Sequence, residues 1–89
     1  MTEGKNDKKI GMIGTGNMGG ALIDGLIGSG AATADNILCS DASERQLDRI
    51  QKKYQVYTTT DNVEVVKKSD IVIYAIKPQI MASVLKETA

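Results

Sequence analysis

Gly14, Gly16 and Gly19 stand in the order G-x-G-x-x-G, directly after the apolar stretch "KKIGMIG" and directly before a segment with helical spacing. No other feature constrains the fold as much. Glycine weakens both strand and helix, because it has more backbone freedom to lose on folding. Three glycines at set positions between two elements mean that the backbone must turn tightly and come close to something. In a strand–turn–helix context each has its own task. Gly14 permits the turn out of the strand, Gly16 keeps a side chain out of the way of a pyrophosphate, and Gly19 lets the helix pack on the sheet. The amides that open the helix, near Asn17 and Met18, face the phosphates, where the helix dipole favours negative charge.

The rest of the chain alternates strands with helices. A strand is expected over residues 9–14 and a helix over 17–27. Met18, Leu22 and Leu26 form that helix's apolar stripe, Ala21 and Gly25 lie beside it, and Gly28-Ser29-Gly30 supplies its stop. "NILCS" is the second strand. "SERQ" has capping-box spacing and opens a helix lined by Leu47, Ile50 and Tyr54. "QVYTT" is a short third strand, and "DNVE" is a weaker match to the same box. "IVIYAI" is apolar without alternation, as in a strand covered on both faces. Pro78 starts a final helix, with Ile80, Val84, Met81 and Leu85 on its apolar face. Such alternation implies a parallel sheet with right-handed crossovers. The fold class is therefore α/β, a Rossmann-like doubly wound sheet of about four strands in the order 3-2-1-4. Ligands bind such sheets at the carboxyl ends of strands one and four. "GTGNMG" and "AIKPQ" thus become the two lips of one cleft.

The 89 residues allow one small domain, placed at 9–89, with residues 1–8 read as a disordered tail. Eleven basic and eleven acidic residues balance to zero net charge, which argues against nucleic acid as a partner. No apolar run is long enough to span a bilayer, and the start of the chain lacks a signal-peptide core. A single cysteine, Cys39, fits a reducing cytoplasm and reads as a small buried hydrophobe. The absence of histidine excludes His-based triads and His metal sites, and no metal site is expected.

Asp41 lies where an acidic residue is expected to bind a ribose hydroxyl, at the end of the second strand. Two readings stand there. As a ribose carboxylate, Asp41 leans toward NAD(H); as an N-cap of the next helix, it and Ser43 are local structure. Arg45 either pairs with Asp41 or meets a 2′-phosphate with help from Ser40 and Ser43. Lys77 is either a positive charge beside the cofactor or a solvated lysine. Tyr54, Tyr57 and Tyr74 read as packing residues.

"IGMIGTGNMGGALIDGLIGSG" and "DIVIYAIKPQIMASVL", with "TTTDNVEVV" between them, resemble the N-terminal half of pyrroline-5-carboxylate reductases. The resemblance implies reduction of 1-pyrroline-5-carboxylate to L-proline with NADP(H) or NAD(H), in a homo-oligomer. It implies that Gly14, Gly16, Asn17, Met18 and Gly19 hold the pyrophosphate, with Ser40 and Asp41 near the adenosine ribose and Asn62 on the adenosine side. Ala75, Ile76, Lys77 and Pro78 would line the nicotinamide ribose. It assigns no catalytic residue here, because the family's substrate pocket belongs to a helical C-terminal domain absent from these 89 residues. The chain alone is accordingly expected to be inactive and to associate through its last strand. Beta-hydroxyacid dehydrogenases, deazaflavin-dependent NADP reductases and a non-catalytic nucleotide-binding module are the alternatives; "KPQ" speaks against the first two.

Overall fold

Ile10, Gly11, Met12 and Ile13 are all buried and form β1 (Ile10–Ile13), which has a partner on each side. The computed structural model describes residues 8–89, so the tail expected at 1–8 falls, Lys8 apart, outside the described residues. β2 (Ile37–Ser40) and β4 (Ile71–Tyr74) flank β1, both parallel to it, with Ile10 opposite Ile37 on one side and Ile71 on the other. β3 (Tyr57–Thr59) pairs with β2, which completes the order 3-2-1-4.

Helices cover both faces. Ile23 of α1 (Asn17–Gly28) and Ile50 of α2 (Glu44–Tyr54) join Met12, Ile37, Cys39 and Val56 in one core. Val65 of α3 (Asn62–Lys68) and Val84 of α4 (Pro78–Thr88) pack with Ile13 in a second.

The strands are shorter than the sequence suggests, each for a local reason. Residues Ala34–Asn36 wind into a 3-10 turn and delay β2. Gln55 leaves β3 because it caps α2 in the left-handed region, at φ 61. β4 packs on both faces, Ile73 against one core and Val72 and Tyr74 against the other, while Ile71 at its start is 44% exposed at the edge of the sheet.

The stripe expected on α1 is also displaced. Gly19 and Ile23 face the core and, of the expected stripe, Leu26 packs against it, while Met18 is 57% and Leu22 37% exposed. The cause is the helix start. A Cβ on Gly19 would lie 2.4 Å from the Gly14 carbonyl oxygen, so only this glycine can face the turn. That contact rotates α1 by one position relative to the Met18–Leu22–Leu26 line. Leu47, Ile50 and Tyr54 do line the inner side of α2. On α4 only Val84 is buried, and Ile80 and Leu85 stay about half exposed.

Both capping signals form by half. Ser43 Oγ accepts the Gln46 amide and Asp61 Oδ1 accepts the Val63 amide. The reciprocal arms go elsewhere. Gln46 accepts from Arg49, and Glu64 accepts from Lys68 and Thr59, both 2.7 Å away. Those two donors, Lys68 first, hold the Glu64 carboxyl below its ordinary range.

Candidate functional site

The chain leaves β1 at Gly14, and Gly14 joins three strands. Its amide donates to the Ser40 carbonyl at the end of β2, 2.8 Å away. Its φ of +99 suits only glycine. A Cβ there would stand 2.4 Å from the Ala75 carbonyl oxygen, just past β4. The Ala75 amide in turn donates to Ile13. The "GTGNMG" and "AIKPQ" segments, about sixty residues apart, therefore touch directly.

Gly16 differs from its two neighbours in the motif. Its backbone is extended, and a Cβ added to it would meet nothing within 4 Å. The protein's own packing demands glycine at 14 and 19 but not at 16. The space in front of Gly16 is open, and a side chain would fill it.

The helix starts around this space differ from the others. α2 and α3 are capped by side chains, Ser43 and Asp61. α1 begins at Gly16 and α4 at Lys77, and neither has a side-chain cap. At α1 the first-turn amides are thus left to an outside acceptor, whereas at α4 the Ile80 amide already donates to the Lys77 carbonyl, 3.0 Å away. Pro78 opens α4, where a missing N–H costs nothing. Asn17, Met18, Lys77 and Pro78 are exposed at these two starts, and Ile76 is half-buried beside Gly14.

The end of β2 is organised inward. Asp41 Oδ2 accepts both the amide and the hydroxyl of Thr15, each at 2.9 Å, and Asp41 Oδ1 accepts the Ser43 amide at 2.9 Å. Thr15 is completely buried. Nothing in the sequence singled it out, because it is the variable x of G-x-G; its partner lies 26 positions on. Ser40, also fully buried, donates to Asn62 Oδ1, and Asn62 Nδ2 donates to Glu87 at 3.0 Å. Of the two serines expected near a 2′-phosphate, Ser40 has therefore committed its proton. Arg45 does not pair with Asp41: it is exposed and forms no hydrogen bond or ion pair among the described residues.

A groove of about 310 Å³ runs from Gly16 and Asn17 between α1 and α2, past Asp24, Arg49 and Lys53. A larger one, about 560 Å³, lies away from the glycine turn, between α2 and β3. Among the described residues no three His, Cys, Asp or Glu side chains converge as metal ligands, and no helix is long and apolar enough to cross a membrane.

Known proteins share this arrangement. The sequence profile of the family described as "NADP oxidoreductase coenzyme F420-dependent" matches residues 9–89. A pyrroline-5-carboxylate reductase of Methanosarcina acetivorans is 47% identical over 79 residues, which make up 89% of this chain and 29% of that protein. The structure of a pyrroline-5-carboxylate reductase from Coxiella burnetii matches with a TM-score of 0.85 at 34% identity, over 92% of this chain and 30% of the other. Pyrroline carboxylate reductase from Plasmodium falciparum, solved with NADP bound, matches at 0.77 and 28% identity, over 92% and 29% of the two chains. The chain thus spans a little under a third of the length of these relatives.

Proposed function

The chain belongs to the NADP oxidoreductase, coenzyme F420-dependent family, and from that premise we propose that it is the dinucleotide-binding part of a pyrroline-5-carboxylate reductase. The observation that carries the reading is Gly16, a glycine that no contact within the protein requires. A pyrophosphate supplies the requirement. It needs close approach to the backbone and unpaired amides, and both are present where α1 starts without a cap.

The first turn of α1, through Gly16, Asn17, Met18 and Gly19, holds the pyrophosphate. Ala75, Ile76, Lys77 and Pro78 line the nicotinamide ribose through their backbone, which contact with Gly14 keeps at the same cleft. Asn62 meets the adenosine side once its bond to Glu87 yields. The exposed guanidinium of Arg45 takes the 2′-phosphate, with the Ser43 hydroxyl beside it, so NADPH is preferred to NADH. When bound, the nicotinamide supplies hydride to the carbon of a substrate C=N bond. The substrate pocket and any catalytic residue belong to a further part of the polypeptide, which acts as a homo-oligomer in proline biosynthesis in the cytoplasm. The chain by itself binds coenzyme without turnover.

Calorimetric titration with NADPH tests the core of this reading. The chain is expected to bind, and Gly16→Val is expected to abolish binding in a chain that stays folded, since the added methyls enter open space and cost only the poorer N-cap. Equal affinity in the variant would overturn the assignment of the phosphate to this turn. The family description also names coenzyme F420. On that second reading the substrate is a deazaflavin. Oxidation of NADPH by the full-length polypeptide with 1-pyrroline-5-carboxylate, and not with a deazaflavin, decides for the first.

A further inference from the structure

We propose that Asp41 is a positioning residue: it latches the glycine turn in shape through Thr15 instead of binding the coenzyme ribose. The inference rests on the dinucleotide-binding reading for its consequence, but its geometry stands apart from it. A carboxylate offers about four lone-pair directions to donors. Three are filled from within the chain, by the Thr15 amide, the Thr15 hydroxyl and the Ser43 amide, all at 2.9 Å. Both Thr15 donors end on the same oxygen, Oδ2. Thr15 is wholly buried, so water cannot replace Asp41 as its acceptor.

The latch acts on the part of the backbone that matters. Thr15 lies between Gly14, fixed to β2 and packed against the residue that ends β4, and Gly16, which caps α1. Gly16 has no side-chain packing around it, and beyond the Gly20 amide that donates to its carbonyl, 2.8 Å away, the anchor at Thr15 is what fixes its approach from the strand side. Asp41 thus ties the direction of the first α1 amides to the end of β2. Its acidity serves the turn, and coenzyme choice falls to other residues.

A ribose ligand and a latch respond differently to the same substitutions. Asp41→Asn keeps the shape and removes the charge and half of the acceptors. Thr15→Val removes the hydroxyl at equal volume, and Thr15→Ser keeps both donors. Two readouts are made on each variant: hydrogen exchange of the hydrogen-bonded Gly14, Thr15 and Gly20 amides without coenzyme, and titration with NADPH and NADH. The latch predicts exchange roughly tenfold faster in Asp41→Asn and Thr15→Val, with Thr15→Ser close to the parent. It also predicts that both coenzymes weaken by the same factor, roughly tenfold, so that their affinity ratio is unchanged.

Selective loss of NADH in Asp41→Asn, with exchange unaltered, would overturn the proposal and make Asp41 the ribose carboxylate. Exchange as slow in Asp41→Asn as in the parent would overturn it in any case. Faster exchange in a chain that binds neither coenzyme would uphold the latch and remove the dinucleotide reading. A melt of each variant by circular dichroism confirms that the comparison is between folded proteins, and Thr15→Val, with Thr15→Ser as its control, keeps the test sharp if Asp41→Asn unfolds.

Discussion

Cys39 lies fully buried in the middle of β2, and burial pushes its thiol up to about 12. Below 9.0, its ordinary value, the thiol is protonated in both folded and unfolded chains and adds nothing to pH dependence. Above that the unfolded chain loses its proton first, so stability falls as pH rises toward the folded value. One unit above the ordinary value the loss is about 1.4 kcal/mol. Urea unfolding at pH 8 and pH 10 checks this, with Cys39→Val expected to show a shallower decline. Gly25 is the opposite kind of residue: exposed, mid-helix and without a neighbour for a Cβ to touch, although the helical spacing sets it beside the apolar stripe. Gly25→Ala should therefore stabilise the chain by about 0.5–1 kcal/mol in the same assay. Single residues were legible in the sequence where their task is local. The roles of Gly14 and Gly19 follow from a turn of a few residues. Gly11 passed unnoticed because what excludes its side chain, Ser69 Oγ and Val65 Cγ1, lies more than fifty positions along the chain. The role of Thr15 is hidden for the same reason, its acceptor lying 26 positions on, just past β2.

Among the elements, α2 carries its own signals and was the easiest to read. Its cap, its inner line of Leu47, Ile50 and Tyr54, and its i,i+4 pair Asp48–Lys52 all lie within the segment. Ser43→Ala is expected to cost about 1 kcal/mol, measured by denaturant unfolding. Its other end is strained. Gln55 holds a left-handed conformation at φ 61 on the surface, where glycine is the easier residue. Gln55→Gly should raise stability by about 1 kcal/mol, and a lower denaturation midpoint would contradict that account. α1 was misread by one position because its rotation is set by Gly19 meeting a carbonyl, a contact that apolar periodicity does not encode. The unbroken apolar run of β4 implies cover on both faces, and Ile73 and the pair Val72 and Tyr74 do pack on opposite cores, while its place at the edge follows from the strand order.

In the whole molecule the strand order and the meeting of the two cleft segments were legible, because handedness and connectivity leave few arrangements for alternating strands and helices. The inward commitment of Asp41, Ser40 and Asn62 was not, since it depends on distances between elements. The open side of β4 is a property of this scale. It presents unpaired backbone flanked by the half-exposed Ile71. Such an edge recruits a second strand. The 89-residue chain is expected to gain mass with concentration in light scattering, and Ile71→Lys to suppress the effect. A monomer at every concentration would count against it.

The packing of Ala75 on Gly14 also has a consequence in time. β1 meets β2 across a short stretch of chain, but it meets β4 only across the separation that Lys9 and Asp70 mark, 61 positions. Contacts so far apart form late, because the intervening loop must close before they reward it. On a ribosome, β1 and its glycine turn emerge before β4 and wait for the residue that completes them. Ligand-binding competence should then be the last property acquired during refolding. Coenzyme capture in a stopped-flow mixing experiment would report the end of folding, after the helical signal has already reached its final value.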